Sequence, residues 1–428
     1  MSTLAVALRG RTFRSLRRHR NYRLWFTGQL ISVAGTWMQN IALVWLVIQL
    51  SGSALAVGAL AFCRFLPFLL LGLISGVVVD RFDTRRLLIA TQATAMLVSV
   101  VLAIVTLTGV ASLPVVYALA ALGGLILVFD SPGRQTLTFQ MVGPRELPNA
   151  VALNSGLFNA SRIVGPALAG VMIAVTGVGL CFVVNAVSFL AVLVALKEMR
   201  VDELTPVVKS RETRMLAGIR EGLAWSARSP LAITVLVVVT IVSTVGFNFN
   251  VLVPLLASQT LDVGAATFGL LSAGFGLGAL VGALATATLR RASTRTFVAG
   301  AIGFSLALLA LAPTHDVAVA LFLLFVLGLS FSLFTASANA LLQLASPDHL
   351  RGRVVSLYLF AFVGLAPVGG LVTGWLAQVG GTGLAFGVGG VSGVVAAAWA
   401  FRRFSAEAPE SLERGTGISQ DGRSSTTV

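Results

Sequence analysis

Arg64 and Arg162 are the two side chains in this sequence whose positions ask for chemistry. Each stands alone in a long apolar stretch, about 15–20 Å from the start of its run at 1.5 Å per helical residue. A guanidinium stays protonated in proteins, and one held inside an apolar layer pairs or lines a cavity. The sequence offers no carboxylate at comparable depth, since Asp130 falls near one end of its own run. The two charges must then be met by backbone carbonyls, by amides such as Asn154 or Asn159, or by an anionic ligand. Carbonyls or amides would make the arginines structural. An anionic ligand would make them a binding device. Two such charges facing one cavity would repel cations and each other, and would attract an acidic or catecholate-like molecule.

Polar stripes accompany them. Gln29, Ser32, Thr36 and Asn40 recur at helical spacing in the first apolar run, and Thr240, Thr244 and Asn248 do so in a later one. Such stripes face an aqueous cavity or hydrogen-bond between helices. Trp37, Phe247, Phe249, Phe331 and Phe334 could give a cavity aromatic walls, although apolar cores contain Phe anyway. Two further constellations are charged. In the stretch Gly72 to Arg86, an apolar run ends in Asp80, Arg81, Asp83, Arg85 and Arg86, and another begins at Leu87. Gly72 and Gly76 sit one turn apart, a spacing that lets a neighbouring backbone pack closely. Asp130 and Arg134 are four apart and share a helix face, with Ser131 and Pro132 between them marking a local break. They form either a plain ion pair at a helix end or, with Asp80 and Arg81, a network that opens and closes one side of the protein.

Several chemistries are excluded. Cys63 and Cys181, with His19, His315 and His349, are too scattered for a disulfide framework or a metal site. No Gly-x-x-x-x-Gly-Lys-Ser/Thr phosphate loop occurs, so any work is driven by an ion gradient or by the substrate's own. No cofactor is expected. A net charge of +14 would suit nucleic acid, but the basic residues lie in short segments between apolar runs rather than in one patch.

The elements that position these residues follow from composition. A chain of 428 residues that is 57% hydrophobic and 11% charged belongs in a lipid bilayer. Twelve runs of about twenty apolar residues can be placed: 22–50, 54–79, 87–108, 113–133, 149–175 and 179–196, then 231–256, 265–289, 296–313, 317–341, 353–378 and 383–402. The basic N-terminus leads into a first run too long for a cleaved signal core. Alternate connections, near Ser51, Gly109, Thr176, Asp262, His315 and Gly380, lack Lys and Arg, which assigns both termini to the cytoplasm of a cell membrane. The Arg-, Ala-, Val- and Gly-rich usage suits a bacterial inner membrane. The expected architecture is an all-α membrane protein of two six-helix pseudo-repeats around a central cavity. A basic segment, 1–21, precedes the first half, 22–196. A linker, 197–230, carries an amphipathic helix from Arg214 to Arg228 and leads to the second half, 231–403. A disordered tail, 404–428, follows. Pro144-Arg145-Glu146-Leu147 is echoed by Pro347-Asp348-His349-Leu350, as two related halves require.

These residues resemble a known family. Gly72-Leu-Ile-Ser-Gly76-Val-Val-Val-Asp80-Arg81 followed by Arg85-Arg86 is similar to the signature loop between the second and third helices of the major facilitator superfamily. Asp83 stands where a glycine is usual and Thr84 where a basic residue is usual. Gly165, Pro166 and Gly170, with Gly156 upstream, resemble the motif that exporters of the superfamily carry in the fifth helix; ordinary close packing is the other reading of it. The stretches Phe129 to Gln135 and Asn149 to Asn154, running on to Asn159 and Arg162, resemble the branch containing the enterobactin exporter and macrolide or multidrug efflux proteins. The resemblance implies export of a small organic molecule, siderophore-like or drug-like, in exchange for protons by alternating access, with Asp80 and Arg81 in the gate and a monomer as the working unit. An uptake carrier or uniporter, and a permease-like sensor that moves nothing, remain alternatives.

Overall fold

Ten apolar helices long enough to cross a membrane run through the computed structural model, which describes residues 13–206, 215–288 and 293–415. Within these segments, the side chains of residues 73, 77, 78, 80, 215–219, 287–288 and 407–415 lie outside the description. Two of the ten helices have the length of two spans, Leu113–Thr176 with 64 residues and Arg351–Ala406 with 56. Both double back at a glycine. Gly143 has φ 67° and Gly381 φ 73°, a region that costs an L side chain strain and glycine almost nothing. The result is twelve spans.

The first half holds α1 (Arg20–Ser51), α2 (Ala54–Arg81), α3 (Thr84–Leu107), α4 (113–142), α5 (144–176) and α6 (Val178–Lys197). The second holds α7 (Pro230–Thr260, with two π-helical turns), α8 (Ala265–Thr288), α9 (Thr294–Leu311), α10 (Val317–Ala345), α11 (351–379, with one π turn at Phe360–Gly364) and α12 (382–415). Polar side chains start several spans where the apolar runs begin. Ser53 Oγ accepts from the Ala56 N–H at 3.3 Å, and Asp316 Oδ1 accepts from Val319 N–H at 2.8 Å. Each satisfies a backbone donor that a helix start leaves open.

Several sequence expectations shift. Pro132 does not break α4, which runs on to residue 142, so Asp130 is well inside the helix rather than at its end. The tail expected to be irregular from Ser405 continues as helix to Gly415, and residues 416–428 lie outside the described ones, as do Arg290 and Arg291. The linker helix is present as Met215–Arg228. Its Trp225 packs on the core, Leu223 is exposed, and Glu221 pairs with Arg353 at the start of α11. The basic N-terminal segment forms a short helix, Arg14–Arg18, docked on the α4–α5 corner. Glu146 receives Arg14 at 2.7 Å and Arg18 at 3.2 Å, while Ser15 donates from N and Oγ to Asn149 Oδ1 at 3.0 and 2.8 Å.

The halves meet at the end of the bundle away from the termini. A Cβ built on Gly58 of α2 would lie 2.7 Å from the Gly370 carbonyl oxygen of α11, and one on Gly374 would lie 2.8 Å from Gly58 Cα. On the other side of the pseudo-repeat, Gly170 of α5 faces Ala265 O of α8 at 2.8 Å, and Gly269 faces Pro166 O at 2.5 Å. Ser53 Oγ and the Leu55 N–H add hydrogen bonds to Gln378 Oε1 at 3.0 and 3.4 Å. Toward the termini, a Cβ at Gly76, Gly156 or Gly352 would meet nothing within 4 Å. Among the described residues, the close glycine contacts between the halves gather at the end away from the termini.

Candidate functional site

Arg162 lies on α5 where the halves come together. Its guanidinium carbon stands 4.6 Å from the ring centre of Phe275 on α8, 5.7 Å from Trp37 on α1, 5.9 Å from Phe249 on α7 and 5.7 Å from Phe331 on α10. The box is itself packed by rings: Phe247 stacks on Phe331 at 4.1 Å, and Phe249 lies 4.4 Å from Phe275. Neither carbonyl nor amide holds the charge as the sequence reading allowed. Asn159 is half-buried and donates to Ser155 O at 2.9 Å, while Asn154 accepts from the Tyr22 hydroxyl at 3.0 Å. The Arg162 Nε is buried without a hydrogen-bond partner. A desolvated guanidinium over an aromatic face gains about 0.5–2 kcal/mol. Insertion scales put the cost of an Arg at a helix centre at about 2.5–3.5 kcal/mol, so four rings are enough to offset it. Phe334 is turned away from this box and packs on Phe297 at 5.3 Å.

Arg64 is elsewhere. It lines a cavity of about 110 Å³ formed by first-half residues, with Thr36, Gln39 and Asn40 from α1, Gln92 from α3, Asp130 and Arg134 from α4, and Asn185 from α6. Arg162 is absent from that lining, so the two arginines do not face this cavity together. The cavity also supplies the deep carboxylate that the sequence did not reveal. Asp130 is 4% exposed; its Oδ1 accepts from Thr91 Oγ1 at 2.9 Å and from Gln92 Nε2 at 2.6 Å, and its Oδ2 is paired with Arg134 Nε. Arg134 also donates to Gln29 Oε1 and lies 5.9 Å from the Trp25 ring centre. Asp130 and Arg134 therefore tie α4 to α1 and α3. Gln39, Gln92 and Asn185 were not among the candidates read from the sequence: Gln92 and Asn185 are single amides in apolar runs, and Gln39 lies one residue off the stripe that ends at Asn40.

The remaining stripe residues divide. Thr36 Oγ1 donates to Ser32 O at 2.9 Å, and Asn248 Nδ2 to Thr244 O at 2.9 Å, so both are spent on their own helices. The hydroxyls of Ser32 and Thr244 are buried without partners. In the charged turn, Asp83 Oδ1 caps α3 by accepting from Arg86 N–H at 2.8 Å. Arg85 donates to the carbonyls of Leu196 and Lys197 at 2.7 and 3.1 Å, pinning the turn to the end of α6. Arg81 and Arg86 are exposed, and the Asp80 side chain lies outside the described residues. Among the described contacts, none joins this turn to Asp130 or Arg134. Gly72 is covered only by the ring of Phe68 in its own helix, at 3.3 Å, and Gly76 by nothing, so no neighbouring backbone packs there as expected. Gly165 and Gly170 do pack closely, Gly165 against Ala34 O of α1 at 2.8 Å and Gly170 against α8. Gly156 touches nothing within 4 Å.

A family model for transmembrane secretion effectors of the major facilitator superfamily matches residues 11–416. The chain belongs to that family. As a secretion effector it is an efflux-type transporter and not an enzyme, in keeping with its relatives. The multidrug efflux pump Tap of Mycolicibacterium fortuitum is 30% identical over 362 residues, covering 82% of this chain and 88% of that protein. The staphyloferrin A transporter of Staphylococcus aureus is 26% identical over 377 residues, covering 86% and 93%. Among solved structures, the peptide transporter POT in complex with sulfate superposes with a TM-score of 0.74 at 15% identity, covering 92% of this chain and 95% of that one. An inward-facing bacterial homologue of the lysosomal transporter Spinster gives 0.71 at 14% identity, covering 90% and 97%. At those identities the structures establish the effector's fold alone. They match the expected all-α architecture, and the family places this effector in a membrane.

Proposed function

We propose that the protein exports an acidic or electron-rich small organic molecule, siderophore-like in chemistry, by alternating access of its two halves and in exchange for protons. The observation that carries the reading is Arg162: a permanent positive charge on α5, boxed by rings from both halves. A cation arriving there meets repulsion, whereas an anion can draw the guanidinium from its rings and gain a charge-assisted hydrogen bond. With both termini in the cytoplasm, the end opposite the glycine contacts faces inward, ready to load cargo for export. One relative is named for staphyloferrin A and another for multidrug efflux; the charge at the junction is what favours an acid here. Asp130, buried yet lining the first-half cavity, is the carboxylate we assign to proton exchange, and the pathway within one chain makes a monomer the working unit.

The test is transport by the purified protein in proteoliposomes under an imposed pH gradient, with a catecholate acid and a lipophilic cation as rival cargoes. Gradient-driven movement of the acid, lost in Arg162→Gln, is the expected result. Equal movement of the cation by both proteins would refute the substrate class. Transport indifferent to the pH gradient would refute proton exchange.

A further inference from the structure

The two intramembrane arginines are held very differently, and the difference points to a second ligand. Arg162 has four rings. Arg64 has one, Phe65 beside it in sequence, at 5.9 Å, a contact worth about 0.5–2 kcal/mol against an insertion cost of about 2.5–3.5 kcal/mol. Among the described residues, no hydrogen bond or ion pair reaches its guanidinium.

The cavity it lines does not neutralise it either. Two guanidiniums, Arg64 and Arg134, face a single carboxylate, and Asp130 is already paired with Arg134 and bonded to Thr91 and Gln92. One positive charge is left over about 15 Å into α2. Uncommitted amides line the cavity, together with one buried acceptor that lacks a partner, Gln92 Oε1. The Gln39 Oε1 accepts from Ser99 Oγ and Asn185 Nδ2, both at 2.7 Å, which turns the Gln39 amide nitrogen away with no acceptor of its own. The Asn40 amide lines the same space and makes no described hydrogen bond. One surplus charge and two uncommitted amides thus share about 110 Å³ of space.

We propose that the first-half cavity binds one small monovalent anion, of chloride or formate size, between Arg64 and the amides of Gln39 and Asn40. The site is walled by α1, α2, α3, α4 and α6, and no second-half residue reaches it, so it is separate from the junction at Arg162. It stands independently of what the protein exports.

The experiment uses the whole protein in detergent, without any gradient, so its outcome is separate from that of the transport assay. Chloride or formate is titrated against gluconate at constant ionic strength. We expect the apparent unfolding temperature to rise by about 2 °C or more at ten times the dissociation constant, and radiolabelled chloride to bind at about one per chain. Arg64→Gln should abolish both effects. Asn40→Leu keeps the charge and removes one donor, and should weaken chloride binding about tenfold. If Arg64→Gln does not accumulate, Asn40→Leu decides: unchanged chloride affinity overturns the site. So does a wild-type protein that responds equally to chloride, formate and gluconate. Stabilisation by citrate through Arg64, with chloride and formate silent, also overturns it, because the anion would then be the carboxylate of a larger molecule.

Discussion

At the scale of single residues, the polar network around Asp130 is the part of the protein with least slack. Its carboxylate accepts from Thr91, Gln92 and Arg134, so removing the charge leaves a guanidinium facing only Gln29 and Trp25. Asp130→Asn should therefore abolish the dependence of efflux on an imposed pH gradient while counterflow exchange persists. Counterflow lost in step with pH-driven efflux would assign the residue a structural role instead. Arg162→Lys makes a companion prediction. An ammonium keeps the charge but loses the planar stacking surface, so binding of an acidic cargo should weaken about tenfold, less than in Arg162→Gln. Equilibrium binding to both variants checks the order. Of this detail the sequence showed the charges and the depth of the two arginines, but neither the depth of Asp130 nor any of the partners. A run that is apolar all round does not say which way an arginine turns, and that rotation is what separates Arg64 from Arg162.

Among the helices, the seam between the halves is made of backbone against backbone. A Cβ at Gly170 would meet Ala265 O at 2.8 Å and Ala266 O at 3.0 Å, neither of which is the free end of a flexible side chain. Gly170→Val should thus push α5 from α8 at the end away from the termini and shift the population toward the opposite conformation. Spin-label distances across that end should lengthen, and a distribution equal to wild type would refute the argument. The helix pattern itself was legible, because twenty-residue apolar runs and alternating basic connections depend on composition alone. Pro132 was misread since a proline cost is local, while α4 is held on both sides of it by Asp130, Arg134 and their partners on α1 and α3. The docking of Arg14–Arg18 on Glu146 could not be seen, since the partners are 128 or more residues apart.

At the scale of the whole molecule the two halves meet along a glycine-lined seam, and that end can be tied chemically. Cysteines at positions 53 and 378, whose native side chains are hydrogen-bonded at 3.0 Å, should be joined by a short bifunctional reagent in the state described. Net transport should then stop and return on cleaving the linker; transport at full rate by the linked protein would exclude alternating access. The seam has one more consequence, which concerns how such a protein changes over generations. Gly58, Gly374, Gly170 and Gly269 make the close contacts, and Trp37, Phe249, Phe275 and Phe331 frame the charge to which we assign cargo selection. No residue belongs to both sets. On the proposed function, drift in the rings would retune what is exported while the seam stays as it is, so a new cargo could be acquired without a new machine.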